Sequence, residues 1–373
     1  MPTKTQALVV KEANAPFVLT DVELEDPQPN EVLVKVVACG LCHTDILTSQ
    51  AGVPTPFPCT LGHEGSGIVV SVGSAVTRVQ PGDSVLMSFS SCGECPYCKE
   101  DNPAGCVDFF KQCFGRHRNH DVGCRPPVKD ATTGDAIAGT FFGQSTLARH
   151  ALVVETSCVK VPPETDLVTL APLGCGLQTG AGAVLNHLRP SPSSTILVTG
   201  LGAVGFGALW AAVHLEVKTI IVVDLIPSRL ELAKKHGAHV TINGRDEDVP
   251  ARVKEATNGL GAHYAVECSG VLPVAETAWH SLRNFGHCVS VGVPGPTASP
   301  AFTIFDAVNH SRTWSGSAEG GSNPPEFIPF LQKLYQEGAF PVNEIAKTFP
   351  VEQWDEAVAA MKKGEVIKPI ITF

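Results

Sequence analysis

Over roughly the first 175 positions, apolar residues come in short runs broken by Gly and Pro. Examples are EVLVKVVA at 31–38, GIVVSV at 67–72, and SVLM at 84–87 behind the turn Pro81-Gly82-Asp83. Strand-length runs bounded by turn residues predict an all-β segment. Between 106 and 139 the pattern fails; this polar, Cys- and His-studded stretch reads as a long loop lining a site. From residue 176 onward, strand-like runs at 195–199, 219–224, 239–242, 264–268 and 287–291 are interleaved with helical periodicity, clearest at 203–214 and 227–236. That alternation, with Gly at the turns, predicts βαβ units on a parallel sheet, and hence an α/β protein. Beyond 318, amphipathic helices at 325–338 and 351–363 and a last strand at 367–373 are expected to return to the first domain. A chain of 373 residues exceeds one ordinary core. The expected division is therefore 1–177 with 318–373 as one domain and 178–317 as the other.

Composition narrows the functional classes. The net charge is −10 and no Lys/Arg cluster stands out, which argues against nucleic acid and anionic membranes as partners. No apolar stretch approaches the ~18 residues of a membrane span, and MPTKTQALVV lacks a signal-like apolar core, so a cytoplasmic protein is expected. Thirteen cysteines, an odd number in a large chain, point to reduced thiols. Cys39, Cys59, Cys158, Cys268 and Cys288 lie in apolar or strand-like surroundings and read as packing.

Gly200-Leu201-Gly202-Ala203-Val204-Gly205 follows the run at 195–199 and opens a helix. The first Gly permits a tight turn, the second a close approach of backbone to pyrophosphate, and the third tight helix–strand packing. A bare Gly-rich turn would be unspecific. Here the next strand ends in Asp224, nineteen residues past Gly205, where a carboxylate can bind the adenosine ribose and repel a 2′-phosphate. NAD is expected rather than NADP.

Cys92, Cys95, Cys98 and Cys106 fall within fifteen residues as C-x2-C-x2-C-x7-C. Four thiolates in so short a loop can close around one structural zinc. An iron–sulfur cluster is the alternative; Cys95-Pro96 supplies its dipeptide, but the remaining spacing does not fit. A second, dispersed set comprises Cys42 in GLCHTD, His63 and Glu64 in GHEG, and Cys175 in PLGCG. Two thiolates and an imidazole suit a zinc with its fourth position open. Spacing alone does not unite three such distant residues, and a lone His63 is more often a core histidine.

GLCHTD, GHEGSG, the four-Cys loop, PLGCG and GLGAVG occur in the order found in zinc-containing medium-chain alcohol dehydrogenases, which the chain resembles from end to end. Within that family FFGQS at 141–145 and APLGCGLQTGAGAVLN resemble benzyl- and aryl-alcohol dehydrogenases. The resemblance implies a GroES-like, mostly-β catalytic domain joined to a Rossmann domain with a doubly wound parallel sheet. It implies two zincs per chain and NAD. Cys42, His63 and Cys175 would hold the catalytic zinc, Asp45 would orient His63, and Glu64 would face the metal from behind. Thr44 would take the substrate hydroxyl proton. Thr179 and Val293 would contact the nicotinamide end, Val204 would share the phosphate turn, and Arg229 would lie beside the adenosine ribose. His43 and Lys368 stand where relatives hold the pyrophosphate with basic residues. Phe109, Phe110, Phe141, Phe142 and Leu147 are candidate pocket walls, and the interdomain cleft is the expected substrate site.

Two positions depart from the family pattern. Leu47 replaces a histidine that relays the proton in some relatives. His43 replaces an arginine, and an imidazole is only partly charged near neutrality. The expected reaction is hydride transfer between a primary, aromatic or allylic alcohol/aldehyde pair and NAD. One rival is oxidation of a formaldehyde–thiol adduct such as hydroxymethyl-glutathione, for which Arg116, His117, Arg118 and Arg125 would hold a carboxylated carrier. Another is a zinc lyase or cyclase without net redox change; a purely structural or binding protein would not need a three-ligand metal set beside a dinucleotide motif. A homodimer is expected from the resemblance, with a tetramer as the alternative.

Overall fold

The computed structural model describes residues 2–53, 55–115, 118, 126–295 and 297–373. It divides into two compact units. The first comprises Met1–Cys175, Asn323–Lys333 and Pro341–Phe373; the second comprises Gly176–Ser322 and Leu334–Phe340. Residues 318–322 and 334–340 thus fall in the second unit, whereas the sequence had suggested the first. Phe340 accounts for part of this: it is fully buried and packs edge-on against Trp210, with ring centroids 4.8 Å apart.

The first unit is built on strand Glu31–Gly40, whose apolar run is buried along nearly its whole length. It pairs antiparallel with Gly65–Val72 on one side, and with His150–Val154 and Lys368–Thr372 along its other edge. Burial from both faces explains why this strand is almost continuously apolar rather than alternating. Val32, Val34, Val36, Val69, Val85, Met87 and Val153 form one core beneath it. A second, five-stranded sheet begins with the hairpin Thr3–Val10 and Phe17–Leu24. The stretch read as an irregular loop carries more order than expected: helix Phe109–Phe114 and the short strands Val128–Asp130 and Ala136–Ile137.

The second unit holds six parallel strands in the order Val240–Asn243, Thr219–Asp224, Thr195–Thr199, Ala262–Glu267, Leu282–Ser290, Thr313–Gly316. Numbered along the chain this is 3-2-1-4-5-6, the doubly wound order that reverses beside its first strand. The strand–helix alternation in the sequence dictates it, because each parallel return needs a crossover. Helix Ala203–His214 is apolar almost all round and correspondingly buried. Among the described residues no single helix is long and apolar enough to cross a membrane.

Candidate functional site

The candidate metal-ligating residues are brought together by three turns of the first unit. Cys42 precedes helix His43–Ser49, whose first-turn Asp45 is fully buried. One Asp45 oxygen accepts from the Cys42 amide at 3.1 Å. The other meets Nδ1 of His63 at 3.0 Å and accepts from the Gly62 amide at 3.0 Å. A single carboxylate thus ties two distant segments and fixes the imidazole so that Nε2 points away from it. Gly62 permits the turn with φ +93°, and a Cβ there would lie 2.4 Å from the Leu147 nitrogen.

Ligand atoms of Cys42, His63, Glu64 and Cys175 all lie within 4.8 Å of one another. Nε2 of His63 is buried and has no hydrogen-bond partner among the described residues. An orphaned buried ring nitrogen is costly unless something else binds it. Two thiols beside it supply the soft donors that zinc prefers, so the residues fit a Cys2His zinc site. Contact with the Cys175 thiol, aided by the His63 charge, holds the Cys42 thiol well below its usual range in spite of burial. The Thr44 hydroxyl lies 3.6 Å from the Cys42 sulfur.

Lys368 is paired with Glu64 inside the first unit. Its ammonium is buried and donates to both Glu64 oxygens at 2.9 Å and to the Leu41 carbonyl at 3.1 Å. All three protons are thereby engaged. Burial disfavours the charge, but Glu64 more than offsets this and raises the Lys368 pKa. Gly40 makes room for the pair: a Cβ there would fall 2.1 Å from a Glu64 oxygen.

The aromatic candidates divide. Phe142 stacks on His63 with centroids 4.5 Å apart, and Phe141 meets it edge-on at 5.3 Å. Both are buried in a core cluster that also holds Leu147, and these two rings pack against the imidazole. Phe109 is partly buried and Phe110 exposed. Arg118 is also corrected: it is buried, paired with Glu31 at 2.6 Å and Glu25 at 2.7 Å, and so not free to hold a carrier's carboxylate. Arg116, His117 and Arg125 lie outside the described residues.

Sequence reasoning missed two residues around this site. Gln144 is fully buried; its amide donates to the carbonyls of His63 and Ser88 at 2.9 Å, and its oxygen accepts from Gly65 at 3.1 Å. The Ser88 hydroxyl donates to the Gly174 carbonyl at 2.7 Å, next to Cys175.

The four-cysteine loop also converges, its sulfurs lying within 4.8 Å of one another. The amides of Cys95 and Cys92 point at the sulfurs of Cys92 and Cys106, each at 3.4 Å. Such N–H···S contacts favour thiolate; those from Cys98 and Val107 bring Cys95 down to about 6. No other ligand is needed, which suits a closed zinc site.

In the second unit, Gly200 adopts φ +84° and Gly205 packs so closely that a Cβ would sit 1.9 Å from the Gly200 carbonyl oxygen. A Cβ on Gly202 would meet nothing within 4 Å, which leaves space for a phosphate at the start of helix Ala203–His214. Val204 lies in the helix's first turn. Asp224 reaches this turn, accepting from the Leu201 amide at 2.6 Å, with Arg229 3.9 Å away. Thr179 is buried, 3.4 Å from Glu319, while Val293 and His43 are exposed. The turn at 200–205 with Asp224 and Arg229 fits a dinucleotide.

Comparison with known proteins agrees with this arrangement. Residues 28–163 match the alcohol dehydrogenase GroES-like domain, and residues 203–334 the zinc-binding dehydrogenase domain. Geraniol dehydrogenase of Castellaniella defragrans is 36% identical over 99% of this chain and 97% of its own. S-(hydroxymethyl)glutathione dehydrogenase of Haemophilus influenzae is 32% identical over 99% and 97% respectively. The crystal structure of benzyl alcohol dehydrogenase from Acinetobacter calcoaceticus superposes with a TM-score of 0.94 at 38% identity, covering 100% of this chain and 99% of that one. The chain belongs to the zinc-dependent, medium-chain alcohol dehydrogenase family. It is an oxidoreductase with zinc and a nicotinamide dinucleotide as cofactors.

Proposed function

We propose that this alcohol dehydrogenase interconverts primary alcohols bearing an aromatic or allylic group with their aldehydes, using NAD. The observation that carries the reading is the buried Nε2 of His63, without a hydrogen-bond partner of ordinary geometry among the described residues, beside the thiols of Cys42 and Cys175. Cys42, His63 and Cys175 would hold a zinc ion that would supply Lewis acidity, and a bound nicotinamide would supply the hydride acceptor. The protein's own groups do the rest. Asp45 holds the imidazole tautomer that leaves Nε2 free to ligate. Thr44, beside Cys42, takes the hydroxyl proton of the alcohol. Leu47 has no group to pass that proton on, so it leaves by another route. Phe141 and Phe142 shield His63 from water and lower the local polarity. Asp224 favours an unphosphorylated adenosine ribose.

The substrate class rests on two supports. Relatives similar over nearly the whole chain are named for geraniol and benzyl alcohol, allylic and aromatic primary alcohols. Phe109 and Phe114 extend the rings on His63, with centroids 6.5 and 5.0 Å from Phe142. The glutathione-linked relative makes a thiol adduct the second reading, but the buried pairing of Arg118 counts against it. The test is NADH formation with benzyl alcohol, geraniol, ethanol and hydroxymethyl-glutathione. The reading expects the first two to lead in kcat/KM; a preference for ethanol or for the thiol adduct would sink it.

We further propose a homodimer formed through the outer strand Thr313–Gly316, which has one neighbour in its sheet. Beside it in sequence, helix Ile304–His310 exposes Ile304, Phe305 and Val308. Light scattering of the purified enzyme checks this, and a monomer would contradict it.

A further inference from the structure

Glu267 ends strand Ala262–Glu267 and is 1% exposed. In the sheet it lies between Thr199, whose strand leads into the phosphate turn, and Ser290, whose strand leads into residues 291–293. It therefore sits at the carboxyl ends of three adjacent strands, where doubly wound sheets bind their ligands. A carboxylate buried there needs donors, and it has them. One oxygen accepts from the Ser269 amide at 2.7 Å, the Ser269 hydroxyl, and the Gly270 amide at 3.1 Å. The other accepts from the Ser290 hydroxyl at 3.3 Å. The Glu267 carbonyl accepts from the amides of Val291 and Gly292, each at 2.9 Å.

These bonds seat two loops against each other. Gly292 has no space for a side chain: a Cβ would lie 2.2 Å from the Gly270 nitrogen and 2.7 Å from a Glu267 oxygen. At Gly270, with φ +66°, the nearest neighbours are backbone atoms of Val293 at 3.0 Å. Ser269 in turn backs the phosphate turn, its backbone 3.2 Å from where a Gly200 Cβ would be. Asp224, which accepts from the Leu201 amide, and Arg229 belong to the other side of that turn.

We propose that Glu267 is a positioning residue for the nicotinamide half of the dinucleotide: its carboxylate sets the loops 268–271 and 291–293, while the adenosine half is held independently. This rests on the dinucleotide reading given above. Glutamine at 267 would remove the charge and turn an NH2 group toward the Ser290 hydroxyl and the Gly270 amide, weakening the bonds that seat the loops while keeping the shape.

Binding of NADH and of AMP to Glu267→Gln, by fluorescence and calorimetry, tests this. The expected result is NADH affinity lowered by on the order of tenfold or more, the scale of a lost hydrogen bond to a charged group. AMP affinity should stay within about twofold. Equal losses for both ligands would mean a general structural role and overturn the proposal, as would wild-type affinity for both. If Glu267→Gln does not fold, Ser269→Ala removes one donor and should show the same selective loss, smaller in size; parallel or absent losses there overturn it equally. Failure of the wild-type protein to bind NADH would instead refute the dinucleotide reading.

Discussion

The side-chain amide of Gln144 donates to the main-chain carbonyl of Ser88 at 2.9 Å, and the Ser88 hydroxyl donates to Gly174 at 2.7 Å. Since Gln144 also holds the His63 carbonyl, one chain of bonds links the segments that carry His63 and Cys175. Relative placement of two candidate metal ligands is thereby set by neutral groups.

Gln144→Leu should loosen the metal site. It removes the acceptor of the buried Gly65 amide and the donor to the His63 and Ser88 carbonyls. Unsatisfied buried groups cost about 1–3 kcal/mol each; partial relaxation makes a net loss of about 2–4 kcal/mol reasonable. Denaturant midpoints give the stability, and the rate of zinc loss to a chelator gives the metal effect. Faster loss of one zinc per chain is expected; unchanged release would show that Gln144 does not act on the metal.

The phosphate turn permits a paired comparison. Gly202→Ala adds a methyl group where no atom lies within 4 Å, so the protein should fold with wild-type stability yet bind NADH more weakly. Gly205→Ala places its methyl 1.9 Å from the Gly200 carbonyl and should destabilise the unit itself by about 1–3 kcal/mol. Melting temperature and NADH affinity should therefore separate the two variants. Loss of melting temperature in Gly202→Ala would contradict the assignment.

How much of this was legible in the sequence depended on range. The Gly-rich turn, its strand and the carboxylate of Asp224 form a local signal, and the parallel sheet follows from strand–helix alternation. The four-cysteine loop is equally local. Cys42, His63 and Cys175 carry no common register, so only family resemblance joined them before the fold did. Gln144, Ser88 and Glu267 escaped because their meaning lies in partners far along the chain or in loops set by neighbouring strands. Nothing around Gln144 in the sequence announces a bond to His63, 81 residues away. The pairing of Lys368 was hidden for the same reason: its partner, Glu64, lies 304 residues earlier.

The zinc lobe can be tested by removing one ligand. The region around residues 92–106 has little apolar core of its own; Tyr97 is exposed and only Cys95, Ala104 and Cys106 among its residues are buried hydrophobics. A closed zinc site contributes folding free energy outright in such a segment. Cys98→Ser should lower the zinc content by one per chain and lower the melting temperature. Activity per remaining catalytic zinc should survive at temperatures where the protein stays folded. Full zinc content in Cys98→Ser would refute the four-thiolate assignment.

The pair Glu64–Lys368 provides the most discriminating prediction. Both side chains are buried, at 0% and 4% exposure. Removing one partner leaves an uncompensated charge, at a cost of about 3–5 kcal/mol. Lys368→Met should therefore destabilise strongly, whereas Glu64→Gln with Lys368→Met should recover most of the loss because no buried charge remains. A residue serving a pyrophosphate would behave otherwise: Lys368→Met would weaken NADH binding with little effect on stability, and Glu64→Gln would not rescue it. A double-mutant cycle on unfolding free energy, run beside NADH titrations, distinguishes the two. The geometry predicts a coupling energy above about 2 kcal/mol; additive effects would return Lys368 to the cofactor.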